Sequence, residues 1–151
     1  MPAMNSFPLN IVTLVALIMT SLALNAQIRI NHTAIYVKDI QKSGYFYQNI
    51  LGLQRIKDPF NDDAHIWLET SQNTSLHIIK GAEEYLTYFK NHHTCYSVKD
   101  ISTIIKQLEE GQISFEDVDG NKGKYSTRAD GIRQIYLQDP DGYWIEINDA
   151  Y

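Results

Sequence analysis

Four residues of types that hold a metal ion and move protons stand at places related by a repeat in this chain: His32, His77, His93 and Glu146. Two of them open near-copies of one stretch. His32-Thr33-Ala34-Ile35-Tyr36-Val37-Lys38-Asp39-Ile40 is echoed by His93-Thr94-Cys95-Tyr96-Ser97-Val98-Lys99-Asp100-Ile101, with His, Thr, Val, Lys, Asp and Ile at matching places. Such self-similarity marks two copies of one supersecondary unit. His77, within Leu76-His77-Ile78-Ile79, and Glu146, within Trp144-Ile145-Glu146-Ile147, each lie in the final apolar strand of a copy. An ionised carboxylate amid apolar neighbours is costly to bury unless it is paired or metal-bound. Neutral imidazoles suit zinc, nickel, iron and copper. Four ligands from four strands leave open positions on the ion, which is the catalytic arrangement. Taken singly, His77 reads as a satisfied strand histidine, Glu146 as a solvated edge residue and His32 as a surface strand end. Their placement as two symmetric pairs favours the metal. His92 competes with His93 but points to the opposite strand face, and the repeat aligns His93 with His32. His65 has no counterpart in the repeat and reads as structural or surface; Glu69 and Asp130 read as solvated.

The elements that must position these residues follow from periodicity and punctuation. Strands are expected over 28–37, 53–56, 64–70 and 75–80 in the first half, with a helix from the Asp39 N-cap to about Ile50, ended by Gly52. Ser71-Gln72-Asn73-Thr74 turns a hairpin. Residues 81–91 form a linker with some helical character. The pattern then restarts: a strand over 92–98, a helix capped by Asp100 or Ser102 and closed by Gly111, a strand over 113–118, and a long polar loop over 119–130. The last hairpin, 132–138 and 143–148, turns on Asp139-Pro140-Asp141-Gly142, where Pro presets one dihedral and Gly supplies the unusual one. The order βαβββ, twice, is an α+β pattern: modules 28–82 and 91–151, each a four-stranded sheet with one helix, facing each other as a half-open barrel around the metal site.

The chain has 151 residues, a hydrophobic fraction of 44% and a net charge of −5, which suits one compact domain. The acidic balance and the lack of a basic stretch argue against nucleic acid or an anionic membrane as partner. Cys95 is the only cysteine, so no internal disulfide forms. Ile11 to Ala26 is apolar and uncharged. It is short for a spanning helix, which needs about 20 residues, and reads as the apolar core of a secretory signal over 1–26, cleaved after Ala23 or Ala26, with the domain over 27–151. No Lys or Arg precedes the run, and an uncleaved anchor is the rival reading. Export, periplasmic or secreted, without stable membrane insertion is the expectation, and a lone cysteine is compatible with it.

The paired His-x-x-(apolar)-x-Val-x-Asp-Ile openings, Tyr45-Phe46-Tyr47 followed by Leu51-Gly52-Leu53, and above all Asp139-Pro140-Asp141-Gly142-Tyr143-Trp144-Ile145-Glu146 resemble the vicinal oxygen chelate superfamily. That superfamily includes glyoxalase I, methylmalonyl-CoA epimerase, fosfomycin-resistance enzymes, extradiol dioxygenases and metal-free bleomycin-binding proteins. The resemblance spans about Ile28 to Asn148. It implies that His32, His93 and Glu146 hold a divalent metal, whether zinc, nickel, manganese or iron. His77 falls where glyoxalase I has a glutamate and the epimerase a glutamine, a departure from both that makes a divalent site more positive than a two-carboxylate one.

The activity implied is that of a glyoxalase-like lyase or isomerase, of the lactoylglutathione lyase kind. It would act on a small oxygen-chelating substrate through an enediolate, with Glu146 as the catalytic base. Tyr125, Arg128 and Arg133, bordering the long loop or final hairpin, are candidate substrate contacts. The alternatives are an extradiol-type iron dioxygenase on His32, His93 and Glu146, and a small-ligand binding protein of the bleomycin-resistance type. Family members build the site within one chain or across a homodimer.

Overall fold

The computed structural model describes residues 28–151; the expected signal segment 1–26 lies outside them. In the first module, β1 (His32–Val37) leads to Asp39, whose carboxylate accepts from the backbone N–H groups of Gln41 and Lys42 and so caps α1 (Ile40–Tyr45). These bonds satisfy donors that the first helical turn leaves free. The expected single helix to Ile50 instead widens into a π-helical turn, Phe46–Ile50. This turn buries the consecutive residues Phe46 and Tyr47, which a regular helix would send to different directions. Gly44 permits the close seat of α1 on the sheet, because a Cβ there would meet Ile66 Cδ1 at 2.7 Å. The strands β2 (Gln54–Arg55), β3 (His65–Ser71) and β4 (Thr74–Lys80) complete the module. Among the described residues the linker 81–91 contains no helix, contrary to its expected character.

The second module repeats the plan with β5 (His93–Ser97), α2 (Ile101–Glu110, N-cap Asp100), β6 (Phe115–Glu116), β8 (Arg133–Gln138) and β9 (Trp144–Asn148). A short strand in the polar loop, β7 (Ser126–Thr127), pairs with β8. It carries no apolar alternation and was invisible to periodicity. The sheets run β1-β4-β3-β2 and β5-β9-β8-β6, with β1 parallel to β4 and β5 parallel to β9. The α+β class and the repeat are therefore as expected. Among the described residues no ladder joins the two sheets, so they do not close into a barrel.

Strand alternation sorts the side chains. Ile35, Val37, Ile66, Leu68, Leu76 and Ile78 of the first sheet, and Ile135, Leu137, Ile145 and Ile147 of the second, join one core with Ile40, Ile101, Ile104 and Leu108 of the helices. The opposite faces carry the polar residues as matched cross-strand rows: Ala34–His77–Trp67 in the first sheet and Cys95–Glu146–Tyr136 in the second.

The Asp139–Gly142 turn does more than close a hairpin. Asp141 Oδ1 accepts from Lys38 N at 2.8 Å and Oδ2 from the fully buried Ser43 Oγ at 2.7 Å, pinning the second module to the start of α1. Tyr143 Oη also donates to Tyr36 O at 3.3 Å. Asp141→Ala leaves a buried hydroxyl and a backbone N–H unpaired. It is expected to lower the unfolding free energy by about 2 kcal/mol, as hydrogen bonds to charged groups are worth. Urea denaturation checks this, and a loss within error of zero would show that water replaces both bonds.

Candidate functional site

Glu146 is the best-anchored of the four expected ligands. The residue is 7% exposed. Asn148 Nδ2 donates to Oε1 at 2.9 Å and the Cys95 thiol at 3.4 Å, and the Tyr136 hydroxyl donates to Oε2 at 2.8 Å. Burial alone pushes this carboxyl up, but the three hydrogen bonds and His93 together hold it below the ordinary carboxylate range. Its neighbours shift the other way: burial and then the Glu146 charge push the Cys95 thiol up to about 12. Burial and the bond to Glu146 likewise push the Tyr136 phenol up to about 12. Both therefore stay protonated donors, which keeps Glu146 ionised and oriented.

His93 Nε2 stands 3.1 Å from Glu146 Oε2. Its other nitrogen, Nδ1, lies 2.8 Å from the carbonyl oxygen of Lys90. A carbonyl only accepts, so Nδ1 carries the hydrogen and Nε2 of the neutral ring presents a lone pair. That lone pair meets a carboxylate oxygen, so a cation, either a proton or a metal ion, must lie between them. Lys90 is itself held by Glu116 and by the carbonyls of Asp117 and Val118.

The first-module row is built differently. His77 is 6% exposed and lies flat on Trp67, with ring centroids 4.0 Å apart at 16°. His32, at the exposed start of β1, stands edge-on to both rings, 5.0 Å from Trp67 and 6.0 Å from His77. Burial, followed by the charges of His65 and His32, lowers the basicity of His77, which favours the neutral, ligating imidazole. His77 Nε2 is buried without a partner among the described residues.

The expected constellation is thus present as two pairs, His32 with His77 and His93 with Glu146. It does not close into one cluster. Among the described residues no group of three or more His, Cys, Asp or Glu side chains is placed to hold a metal ion. The repeat aligned the strands correctly, but the gap between the sheets was not encoded in it. A cleft of about 390 Å3 opens between β1 and β5, and of the four residues only His93 lines it.

Among the candidate substrate contacts, Arg133 is misplaced. It alternates onto the helix-bearing face, where Nε donates to Asp149 Oδ2 at 2.8 Å and the guanidinium reaches Ser102 and Asp100 at the start of α2. Its role there is structural. Tyr125 is exposed. Arg128 pairs with Asp130 at 2.7 Å and its charge is felt by Cys95 and Tyr136, which places it beside the Glu146 face. Asp130 is therefore ion-paired as well as exposed, and Glu69 is exposed. His65 turns toward His77, with centroids 5.1 Å apart. Tyr136, Asn148 and Cys95 were missed, although period-2 alternation from Glu146 and His93 marks Asn148 and Cys95 as same-face neighbours. Nothing in the sequence marks the Lys90 carbonyl.

Residues 29–147 match the family model described as Glyoxalase/Bleomycin resistance protein/Dioxygenase superfamily. An uncharacterized protein, YwbC, of Bacillus subtilis (strain 168) is 31% identical over 78% of this chain and 94% of its own length. A lactoylglutathione lyase of Pseudomonas putida is 27% identical over 81% of this chain and 85% of its own. The crystal structure of a glyoxalase/dioxygenase from Nostoc punctiforme superposes with a TM-score of 0.67 at 22% identity, covering 97% of this chain and 98% of that one.

Proposed function

The chain belongs to the glyoxalase/bleomycin resistance protein/dioxygenase superfamily, and from that premise we propose that it is a metal-dependent lyase or isomerase acting on a small substrate with two neighbouring oxygens. The observation that carries this is the 3.1 Å approach of His93 Nε2 to Glu146 Oε2, with Nδ1 held by the Lys90 carbonyl. A second, independent sign is the unpartnered nitrogen of His77. Three imidazoles and one carboxylate suit zinc, nickel, iron or manganese. The likeness to lactoylglutathione lyase supports the same class.

His32, His77, His93 and Glu146 would hold the ion, the first pair from one copy of the chain and the second from another, so that a homodimer completes each site. When bound, a divalent metal polarises the two substrate oxygens and stabilises negative charge next to a carbonyl. The chain's own residues do the rest. Glu146, held ionised by Tyr136, Asn148 and Cys95, takes the proton next to the carbonyl and returns it. The Lys90 carbonyl holds the His93 ring in the tautomer that leaves Nε2 free. Arg128 borders the face and draws an anionic substrate toward it.

The metal content of untagged wild type and of His93→Ala tests the first part. Wild type should carry a divalent ion that His93→Ala loses, and wild type that takes up none would sink the reading. Iron with oxygen uptake on catechols would move the assignment to an extradiol-type dioxygenase. Mixing tests the second part. Heterodimers of His77→Ala with Glu146→Gln should regain turnover of 2-oxoaldehyde thiol adducts, because one of their two sites is then intact. No regain would place all four ligands in one chain.

A further inference from the structure

The cleft between β1 and β5 shares His93 with the metal reading and otherwise has no part in it. Its construction is that of a binding pocket. A volume of about 390 Å3 lies within the range of small-molecule sites. Buried Ile35, Leu76 and Ile145 give it apolar surface, and Tyr47, Tyr88, Tyr96, Tyr143 and Trp144 give it rings. Those rings are fixed by bonds of their own. Tyr88 and Tyr143 stack with centroids 4.3 Å apart at 24°. Tyr143 Oη accepts from Tyr36 N at 3.2 Å and donates to Tyr36 O at 3.3 Å. Trp144 Nε1 donates to the Tyr88 carbonyl at 3.0 Å, and Tyr47 Oη to Asp139 Oδ2 at 2.9 Å. Gly142, at a φ of 91°, lets the linker lie against the last turn, because a Cβ there would meet Leu86 O at 3.2 Å. A pocket built in advance spares its ligand the cost of ordering it.

Polar partners come from a strand edge. β1 ends the order β1-β4-β3-β2, so one side of its backbone is free of the ladder. The consecutive residues Thr33, Ala34 and Ile35 all line the cleft. A strand that presented a face would contribute alternate residues, so β1 presents its edge. Backbone groups two residues apart on a strand point the same way. Tyr36 turns its N–H and C=O to Tyr143 of the second module, and exposed Ala34 therefore turns its own pair into the cleft. Charge restricts the occupant. Among the described residues no Asp, Glu, Lys or Arg lines the cleft. The Asp139 charge reaches Tyr47, Tyr88 and Tyr96 behind it. The nearby Lys90 ammonium, 5.3 Å from the Trp144 ring centroid, is already paired with Glu116. An anion would meet the Asp139 field with no free cation to answer it.

We propose that this cleft is a binding site for a small, neutral aromatic molecule that carries a hydroxyl group. The ring lies among Tyr88, Tyr143 and Trp144, where aromatic pairs gain more than their buried area alone. The hydroxyl bonds to the backbone of Ala34. A hydroxyl both donates and accepts, so it suits an N–H and a C=O that stand side by side. The site depends neither on a metal nor on the pairing of His32 and His77 with His93 and Glu146.

Calorimetric titration of the full chain tests it. The probes are p-cresol, 4-methylcyclohexanol and 4-hydroxybenzoate, which share a ring hydroxyl and differ in aromaticity and charge. Wild type should bind p-cresol saturably with a dissociation constant below about 1 mM, within reach of a ligand of that size. It should bind 4-methylcyclohexanol about threefold to tenfold more weakly, the share that ring-on-ring geometry contributes. It should bind 4-hydroxybenzoate at least about tenfold more weakly, because the cleft offers its charge no partner. Thr33→Trp, at an exposed lining position, fills the mouth and should abolish p-cresol binding. Thr33→Ala leaves the mouth open and should bind p-cresol as wild type does. Glu146 does not line the cleft, so Glu146→Gln should also bind it as wild type does. The absence of saturable p-cresol binding by wild type would overturn the proposal. So would equal affinity for p-cresol and 4-hydroxybenzoate, or wild-type affinity in Thr33→Trp. Loss of p-cresol binding in Glu146→Gln would move the phenol to the metal face, overturning the cleft site while leaving the metal assignment standing.

Discussion

Glu146→Gln is expected to lower turnover of 2-oxoaldehyde thiol adducts, and exchange of the substrate proton next to the carbonyl, by about a thousandfold, in the range that a positioned general base contributes. The substitution keeps the shape and removes the charge and the proton-accepting oxygen. Four groups converge on this carboxylate: Asn148, Cys95, Tyr136 and His93. A neutral amide is a poorer ligand for a divalent cation than a carboxylate, so metal affinity should fall as well. The core residues Ile145 and Ile147 on either side are untouched, and the circular dichroism spectrum should not change. Proton exchange at the wild-type rate in Glu146→Gln would move the base elsewhere.

The pH dependence of stability should carry a clear contribution from Asp139. Burial, partly offset by hydrogen bonds from Tyr47 Oη and from the backbone of Tyr143 and Asp141, raises its carboxyl from 3.8 to about 6. A displacement of that size corresponds to roughly 3 kcal/mol. Because the folded value is the higher one, the contribution is fully present below the unfolded value of 3.8 and is lost as pH rises through about 6. Asp139→Asn cannot titrate. The unfolding free energy of wild type relative to Asp139→Asn should therefore fall by about 2 kcal/mol between about pH 4 and pH 7. Carboxylates with lowered values, such as Asp149 beside Arg133 and Asp117 beside Asn121, slope the other way. They are common to both proteins and cancel in the difference. A difference that stays flat over that range would show that Asp139 ionises as easily folded as unfolded. The group matters to the architecture because Tyr47, Asp139 and Tyr143 join the π-helical turn of the first module to the last hairpin of the second.

Much of this was legible without coordinates, for definite reasons. Side-chain direction in a strand has a period of 2, so placing His77 and Glu146 among apolar residues put each on the face opposite the core. The repeat then matched His32 with His93 and chose His93 over His92. Helix starts were legible because Asp39 and Asp100 must satisfy free N–H groups locally. Features that depend on non-local contact were not. The widened turn at Phe46–Ile50 answers to packing against the core, and β7 exists only because β8 has an edge for it. Arg133 read as a substrate contact because its loop-side position was visible and its partners Asp149 and Asp100 were not.

The four chemically apt residues, their two-by-two symmetry and the α+β repeat were determined by the sequence alone, because they rest on residue type and strand period. Only the tertiary structure decided that they stand as two pairs, because the distance between sheets is set by how helices and the Asp139–Gly142 turn pack. It alone chose the His93 tautomer, through a linker carbonyl that has no signature in residue type. It alone left Trp67 Nε1 and His77 Nε2 unpaired in the first-module row while their counterparts Tyr136 and Glu146 are bonded in the second, because a hydrogen bond across strands depends on reach and angle as well as on register.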